Sequence, residues 1–393
     1  MLLGVWLLYL AFGLNVGALA PLVPVIEADL GLSHSAMGRV LGAWQFVFII
    51  AAIPCGILLD RLGSRWAMLG GALLIGVSAF WRSIADDEIS LLLAVGIFGL
   101  GGPIVSSGAP KVISAWFDGK QRGLAMGIYV TGPGIGTMVS LLLTNPVLLP
   151  VLDHDWRQVL RLWGCFTLVA ALVWYLISTR LGETPKDRGQ SHTISLGLFE
   201  LLRQPVVRLL LVMSIGVFAI NHGLGNWLPE LLRAGGRTIT QASSLAALMV
   251  FVAILSALTI PRLATRQYRL VVLFMLCLCT VCATLLLRLP TGLPLIAGLI
   301  FQGIASGSMM TVMMLILVET PGIGERRAGT AGGLYFSTAE IGGVGGPVML
   351  GAVYDATGGF GAGLGTLSFI GLALACCVWA LRYFAGKSIT VPA

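Results

Sequence analysis

Gly56-Ile57-Leu58-Leu59-Asp60-Arg61-Leu62-Gly63-Ser64-Arg65 is the stretch that decides how this chain folds. It sets three charges, Asp60, Arg61 and Arg65, between two long apolar runs, Ser35 to Leu59 and Trp66 to Ala85. No water reaches the hydrocarbon interior of a bilayer, so charges this dense sit where water returns, at a membrane face. The stretch therefore reads as a turn of about ten residues that holds two spanning helices in antiparallel contact. Gly56 removes a side chain so that a neighbouring helix can approach, and Asp60 suits the positive N-terminus of a helix.

The rest of the chain has the same character. Of its 393 residues, 57% are hydrophobic and only 10% charged, with a mean hydropathy of +0.94. Soluble domains lie far from these values, so the chain is read as a polytopic membrane protein. A hydrocarbon layer of roughly 30 Å takes about 20 apolar residues to cross as a helix. Twelve runs meet that length, near 3–26, 36–59, 66–85, 89–115, 122–150, 157–179, 206–229, 240–263, 268–288, 293–318, 327–353 and 360–384. The first begins directly after Met1, has no basic segment before it and is too long for a signal-peptide core, so it is expected to remain as the first span.

A net charge of +7 raises the question of nucleic acid, but its distribution points to topology. With both termini on the cytoplasmic side, only Arg39, Arg82, Arg157, Arg161, Arg233, Arg237 and Arg288 of the 24 Lys and Arg face the other way. That excess is what the positive-inside rule requires, and no nucleic-acid partner is implied. All seven cysteines lie inside the runs, where Cys277, Cys279 and Cys282 have no His or carboxylate near them and residues two apart share no helical face. They read as small packing groups, and no metal is expected.

Polar residues inside such runs are the candidates for function. Asn15, between Gly13 and Gly17 in the first span, fits either a packing hydrogen bond or the wall of a cavity. Gln45 follows Trp44 near mid-membrane in the second. Arg82 closes the third just before Asp86-Asp87-Glu88, where an arginine is expected to snorkel to the interface beside those acids. The fourth, with Gly99, Gly101, Gly102, Pro103, Gly108 and Pro110, is too rich in helix breakers for a plain lipid-facing span. Its Lys111 either lines the cytoplasmic mouth of a cavity or snorkels. The seventh carries Asn221, His222 and Asn226 toward its outer half, and His222, the one histidine inside a run, is a candidate proton site. Gln302 lies in the tenth. Glu340 sits close to the midpoint of the eleventh, where an ionisable group costs at least about 2.5–3.5 kcal/mol. It needs a cavity, a partner or a proton, and no Lys or Arg is expected at its depth.

Residues 180–205 form the one long polar connection and read as a cytoplasmic linker between two halves. The halves echo each other faintly: Ala125-Met126-Gly127-Ile128-Tyr129 returns as Ala331-Gly332-Gly333-Leu334-Tyr335, in the fifth and eleventh runs.

The spacing of Gly56, Asp60, Arg61, Gly63 and Arg65, G-x-x-x-D-R-x-G-x-R, resembles the loop between helices 2 and 3 of the major facilitator superfamily of secondary transporters. The resemblance implies an all-α polytopic membrane protein of 12 transmembrane helices in two pseudo-symmetric six-helix bundles, 1–179 and 206–393, around a central site that opens alternately to each side. It also implies a conformational latch. The family's equivalent of Asp60 docks against the start of helix 11, here Arg326-Arg327, so Gly56, Asp60, Arg61, Gly63, Arg65, Arg326 and Arg327 are its expected parts. Two family features are missing. Val95 stands where many members carry an arginine in helix 4, and Ser140 where drug exporters place a Gly-Pro pair in helix 5.

The function implied is proton-coupled movement of a small solute. Glu340 would take and release the proton, with His222 as second choice, and Asn15, Gln45, Asn221, Gln302 and Lys111 would face the substrate. No G-x-x-x-x-G-K-[ST] loop is present, so a gradient must drive transport. No nucleophile and base stand at usable spacing either, so an enzyme is not expected, nor is a cofactor. A monomer in the bacterial inner membrane, with both termini cytoplasmic and only lipid, solute and proton as partners, is the expected form. A drug or metabolite efflux antiporter is the alternative transporter. A non-transporting solute sensor is the alternative from another class.

Overall fold

The computed structural model describes residues 1–180, 202–289, 291–320 and 323–389, and every regular element among them is helical. The first span is broken. Helix α1, Leu2–Gly17, gives way to a single 3-10 turn, Ala20–Leu22, and then to α2, Val23–Leu30. Pro21 and Pro24 explain the break, because neither has an N–H to continue the ladder and each ring crowds the preceding turn. Gly31, at φ 64°, ends α2 in the left-handed conformation. Helix α3, His34–Arg82, starts where the Ser33 hydroxyl accepts a hydrogen bond from the Ala36 N–H at 3.2 Å.

Helix α3 is two spanning segments, 34–62 and 64–82, joined by one residue. Gly63 has φ 79° and ψ 159°, a backbone state essentially closed to residues with a Cβ. The expected ten-residue turn thus shrinks to a single glycine. Asp60 and Arg61 remain helical and reach water from the last turn of the first segment. The reason given above for Gly56 also needs correcting: nothing lies within 4 Å of where its Cβ would be, so no neighbour approaches it.

The chain continues through α4 (Glu88–Trp116), α5 (Gly119–Leu143), a π-helical turn (Thr144–Leu148) and α6 (Leu149–Val151). There follow α7 (Trp156–Arg180), α8 (Pro205–Ala234), α9 (Ile239–Leu263), α10 (Arg269–Leu286), α11 (Gly292–Val318), α12 (Gly324–Thr357) and α13 (Phe360–Ile389). Among the described residues, 10 helical stretches are long and apolar enough to cross a membrane, and the one at His34–Arg82 contains both segments of α3. Helix α12 is not among the 10, although it runs for 34 residues, because its glycines and Glu340 dilute its apolar content. The expected linker 180–205 falls almost wholly on 181–201, outside the described residues.

By residue contacts the chain forms two compact units, Met1–Gly189 with Gly225–Phe251, and Gln190–Leu224 with Val252–Ala393, so that α8 and α9 contribute to both. Each unit contains the same close approach. In the first, a Cβ on Gly136 of α5 would collide with the Leu10 carbonyl of α1. In the second, a Cβ on Gly342 of α12 would collide with the Ile215 carbonyl of α8. The two glycines keep the register of the sequence echo, in which Tyr129 and Tyr335, both buried, correspond. Lipid tails are as apolar as the side chains, so helices here associate through tight small-residue contacts rather than water exclusion.

Candidate functional site

In the first unit several polar residues turn inward to neighbouring helices. The Asn15 amide donates to the Ala11 carbonyl and to the Thr167 hydroxyl of α7, both at 2.8 Å, so the packing reading describes its contacts. Gln45 is fully buried on α3 beside Trp44. Lys111 reaches from α4 to Asp60, Nζ to Oδ1 at 2.6 Å. Asp60 therefore has a partner inside its own unit, while the side chains of Arg326 and Arg327 lie outside the described residues. Arg61 is exposed. Arg65 donates to the Ser178 carbonyl at 2.6 Å, capping the C-terminal turn of α7, and its own carbonyl accepts from the Trp174 indole at 3.0 Å.

Arg82 does not snorkel. Its side chain is 2% exposed, donates from Nη1 to the Asn15 carbonyl at 3.1 Å and lies 5.3 Å from the centre of the Phe98 ring. The acids that should have drawn it outward are engaged elsewhere. Asp86 pairs with Arg157 at 3.5 Å, Asp87 caps α4 through the Ser90 N–H at 2.7 Å, and Glu88 pairs with Arg39 at 2.7 Å. What remains for Arg82 is the carbonyl freed where α1 ends, at the negative pole of that helix. A buried arginine is thus present at the end of α3, with no carboxylate against it among the described residues. The signal that could have found it is local. The acids beside Arg82 in sequence also lie opposite Arg157 and precede α4, so each had another claim on it.

In the second unit, α8 carries Asn221, half-buried, and His222, whose ring packs 5.4 Å from Phe218. Phe218 lies 6.3 Å from Phe336 of α12, and Glu340 is one helical turn beyond Phe336. Glu340 is 5% exposed, and its Oε2 is buried with no hydrogen-bond partner among the described residues. Gln302 of α11 is likewise buried, with its Oε1 unpartnered. The Tyr335 hydroxyl reaches the Met313 sulfur at 3.8 Å, which fixes the register of α12 against α11. Counted from that contact at 1.5 Å per residue, Gln302 lies about 9 Å beyond Glu340 along the helix axes. Two unsatisfied oxygens at separate depths in one unit mark places where a proton, an ion or a solute hydroxyl would find an acceptor. Among the described residues no cluster of His, Cys, Asp and Glu could hold a metal ion.

Long apolar helices, a repeated close-packed pair and ionisable groups held at membrane depth are the build of an integral membrane transporter. A family profile described as Major Facilitator Superfamily matches residues 5–347, and the chain belongs to that family. It is 26% identical over 248 residues, 58% of this chain and 52% of the relative, to a probable L-galactonate transporter of Escherichia coli. It is 30% identical over 159 residues, 40% of each chain, to the probable nitrate transporter NarT of Staphylococcus carnosus. The matched stretches thus span about half the length of these curated relatives or less. Among solved structures, the nucleoside transporter NupG superposes with a TM-score of 0.81 at 17% identity, over 97% of this chain and 99% of that one. That likeness speaks for the fold alone.

Proposed function

We propose that this protein is a secondary active transporter that moves a small solute by alternating access and couples that movement to protons through Glu340. The observation that carries the reading is the burial of the Glu340 carboxyl without a partner for Oε2. A carboxylate kept in so poor a solvent is costly unless it gains a proton, so its charge can be exchanged for each cycle of exposure to water. His222 is the second candidate, joined to the same region through Phe218 and Phe336. Gln302 and Asn221 would supply hydrogen bonds to the solute. The membrane is taken to be the bacterial inner membrane, with both termini cytoplasmic, because that orientation satisfies the positive-inside rule.

A small anion is the favoured cargo. Galactonate and nitrate, the solutes in the names of the two relatives, share only their negative charge and oxygen acceptors. Arg82 adds an uncompensated positive charge to the first unit, and protonation of Glu340 would offset the charge of an anion carried inward. The test is solute uptake into proteoliposomes under an imposed pH gradient. Glu340→Gln, which is always neutral, should lose accumulation against a gradient while keeping solute exchange. Uptake by that variant that still follows the pH gradient would overturn the assignment.

A further inference from the structure

Nε of Arg82 on α3 and Nε1 of Trp163 on α7 are both shut from solvent, with no hydrogen-bond partner among the described residues. The two side chains are 2% and 5% exposed. They belong to one stretch of the seam between α3 and α7. Arg161 donates from Nε to the Ser83 hydroxyl at 3.3 Å, and a Cβ on Gly164 would stand 3.0 Å from Cε2 of Phe80 and 3.3 Å from Cβ of Ala79, so residues 161–164 run beside residues 79–83. A line of bonds joins the two side chains as well. Arg82 Nη1 donates to the Asn15 carbonyl at 3.1 Å. The Asn15 amide donates to the Thr167 hydroxyl, and that hydroxyl to the Trp163 carbonyl, each at 2.8 Å. The Phe98 ring of α4, centred 5.3 Å from the guanidinium carbon, stands on another side.

We propose that Arg82 and Trp163 form a binding site for one small monovalent anion, of chloride size, held inside the first unit as a counter-ion. A guanidinium and an indole N–H donate and cannot accept, so their ligand must carry acceptors. Water would meet that need but would leave the charge of Arg82 buried and unpaired, which is strongly unfavourable. The neighbouring charges do not relieve it. Asp86, Asp87 and Glu88 are engaged by Arg157, the start of α4 and Arg39, and Arg161, on the Ser83 hydroxyl, adds positive potential rather than removing it. Neutralising Arg82 takes one negative charge, which makes the ion monovalent. Side chains this enclosed admit an ion of a few atoms at most and not an organic acid.

A resident anion is a property beyond the transport reading and needs no part of it. It ties α3 to α7 beside the carbonyl where α1 ends, so it acts on the fold of the first unit, whereas Glu340 belongs to the second. Where it is bound, Arg82 is neutralised, and an anionic cargo would compete with it for that charge.

The test is thermal unfolding of the purified full-length protein in detergent, with sodium chloride exchanged for sodium gluconate at constant ionic strength. Gluconate carries the same charge on a body too large for the site. Chloride should raise Tm along a saturating curve, by about 5 °C once it exceeds its Kd a hundredfold. Trp163→Phe keeps an aromatic ring and loses the N–H, so it should raise the apparent Kd for chloride about tenfold. Arg82→Met keeps an unbranched stem without the charge and should abolish the difference between the two salts. Equal melting of the parent in both salts, or a gain that grows with chloride without saturating, would overturn the site. So would a chloride Kd left unchanged by Trp163→Phe, a variant that decides the matter even where Arg82→Met fails to fold. The readout needs no solute and no proton at Glu340, so either result leaves the coupling assignment to its own experiment.

Discussion

Replacing Gly136 by alanine would put a methyl group against the backbone of α1, next to the Leu10 carbonyl, 2.7 Å from the Leu14 nitrogen and 3.0 Å from the Gly13 carbonyl carbon. None of these atoms can rotate aside, so α1 and α5 must part by about 1 Å to restore ordinary contact distances near 3.5–4.0 Å. Overpacking of this kind costs about 1–3 kcal/mol. Gly56→Ala is the matched control. It also lies in a helix but meets nothing within 4 Å, so it should gain up to about 1 kcal/mol of helix propensity. The two variants should differ by about 1–4 kcal/mol, and at about 2 °C per kcal/mol for a chain of this size that separates their Tm values by about 2–8 °C. Thermal unfolding of the purified protein in detergent, followed by intrinsic fluorescence, reads the difference directly. Gly342→Ala should behave as Gly136→Ala does, because it meets the Ile215 carbonyl of α8 in the same way. Melting of Gly136→Ala within 1 °C of Gly56→Ala, or in the opposite order, would refute the claim that these two glycines exist for backbone approach.

Asn15→Ala removes two hydrogen bonds inside the first unit and should cost about 0.6–1.7 kcal/mol in stability while leaving the apparent KM for solute unchanged. A rise in KM without a loss of Tm would restore Asn15 to the substrate site. Hydrogen bonds from Arg269 hold the Glu319 carboxyl, just past the end of α11, below the usual carboxylate range. A depressed acid stabilises the fold above its ordinary pKa and loses that contribution as pH falls through the folded value. Glu319→Gln should therefore lower Tm at pH 6 by at most about 2 °C, since the carboxylate is partly exposed, and the deficit should shrink and disappear as pH falls below the ordinary carboxylate range. A deficit that is constant with pH would mean that Glu319 acts through packing rather than charge.

The positions of the helices were legible because hydropathy and breakers are local. Pro21 and Pro24 interrupt the first span, and Gly63 is the one residue in its motif with a conformation other residues avoid. Partners were less legible, because they depend on how each helix is rotated about its axis. Asp60 lies beside Lys111, more than 50 positions away in sequence, and only the packing of α3 on α4 brings them to 2.6 Å. Arg82 shows the same limit from the other side. Proximity in sequence favoured its neighbours Asp86, Asp87 and Glu88, but Arg157, the N-terminus of α4 and Arg39 compete for them on better geometric terms. Glu340 and Gln302 could be singled out from depth alone, since no rotation makes a mid-span carboxyl or amide inexpensive.

The single-residue elbow at Gly63 has a counterpart at the level of the gene. Every one-base change that alters the amino acid at a glycine codon installs either a side chain or a stop, and each such side chain would have to adopt φ 79° and ψ 159° at a strain of about 1–3 kcal/mol. Inactivating alleles recovered from a random library should therefore pile up at codon 63 and be sparse at codon 56, although the two glycines stand seven positions apart in one motif.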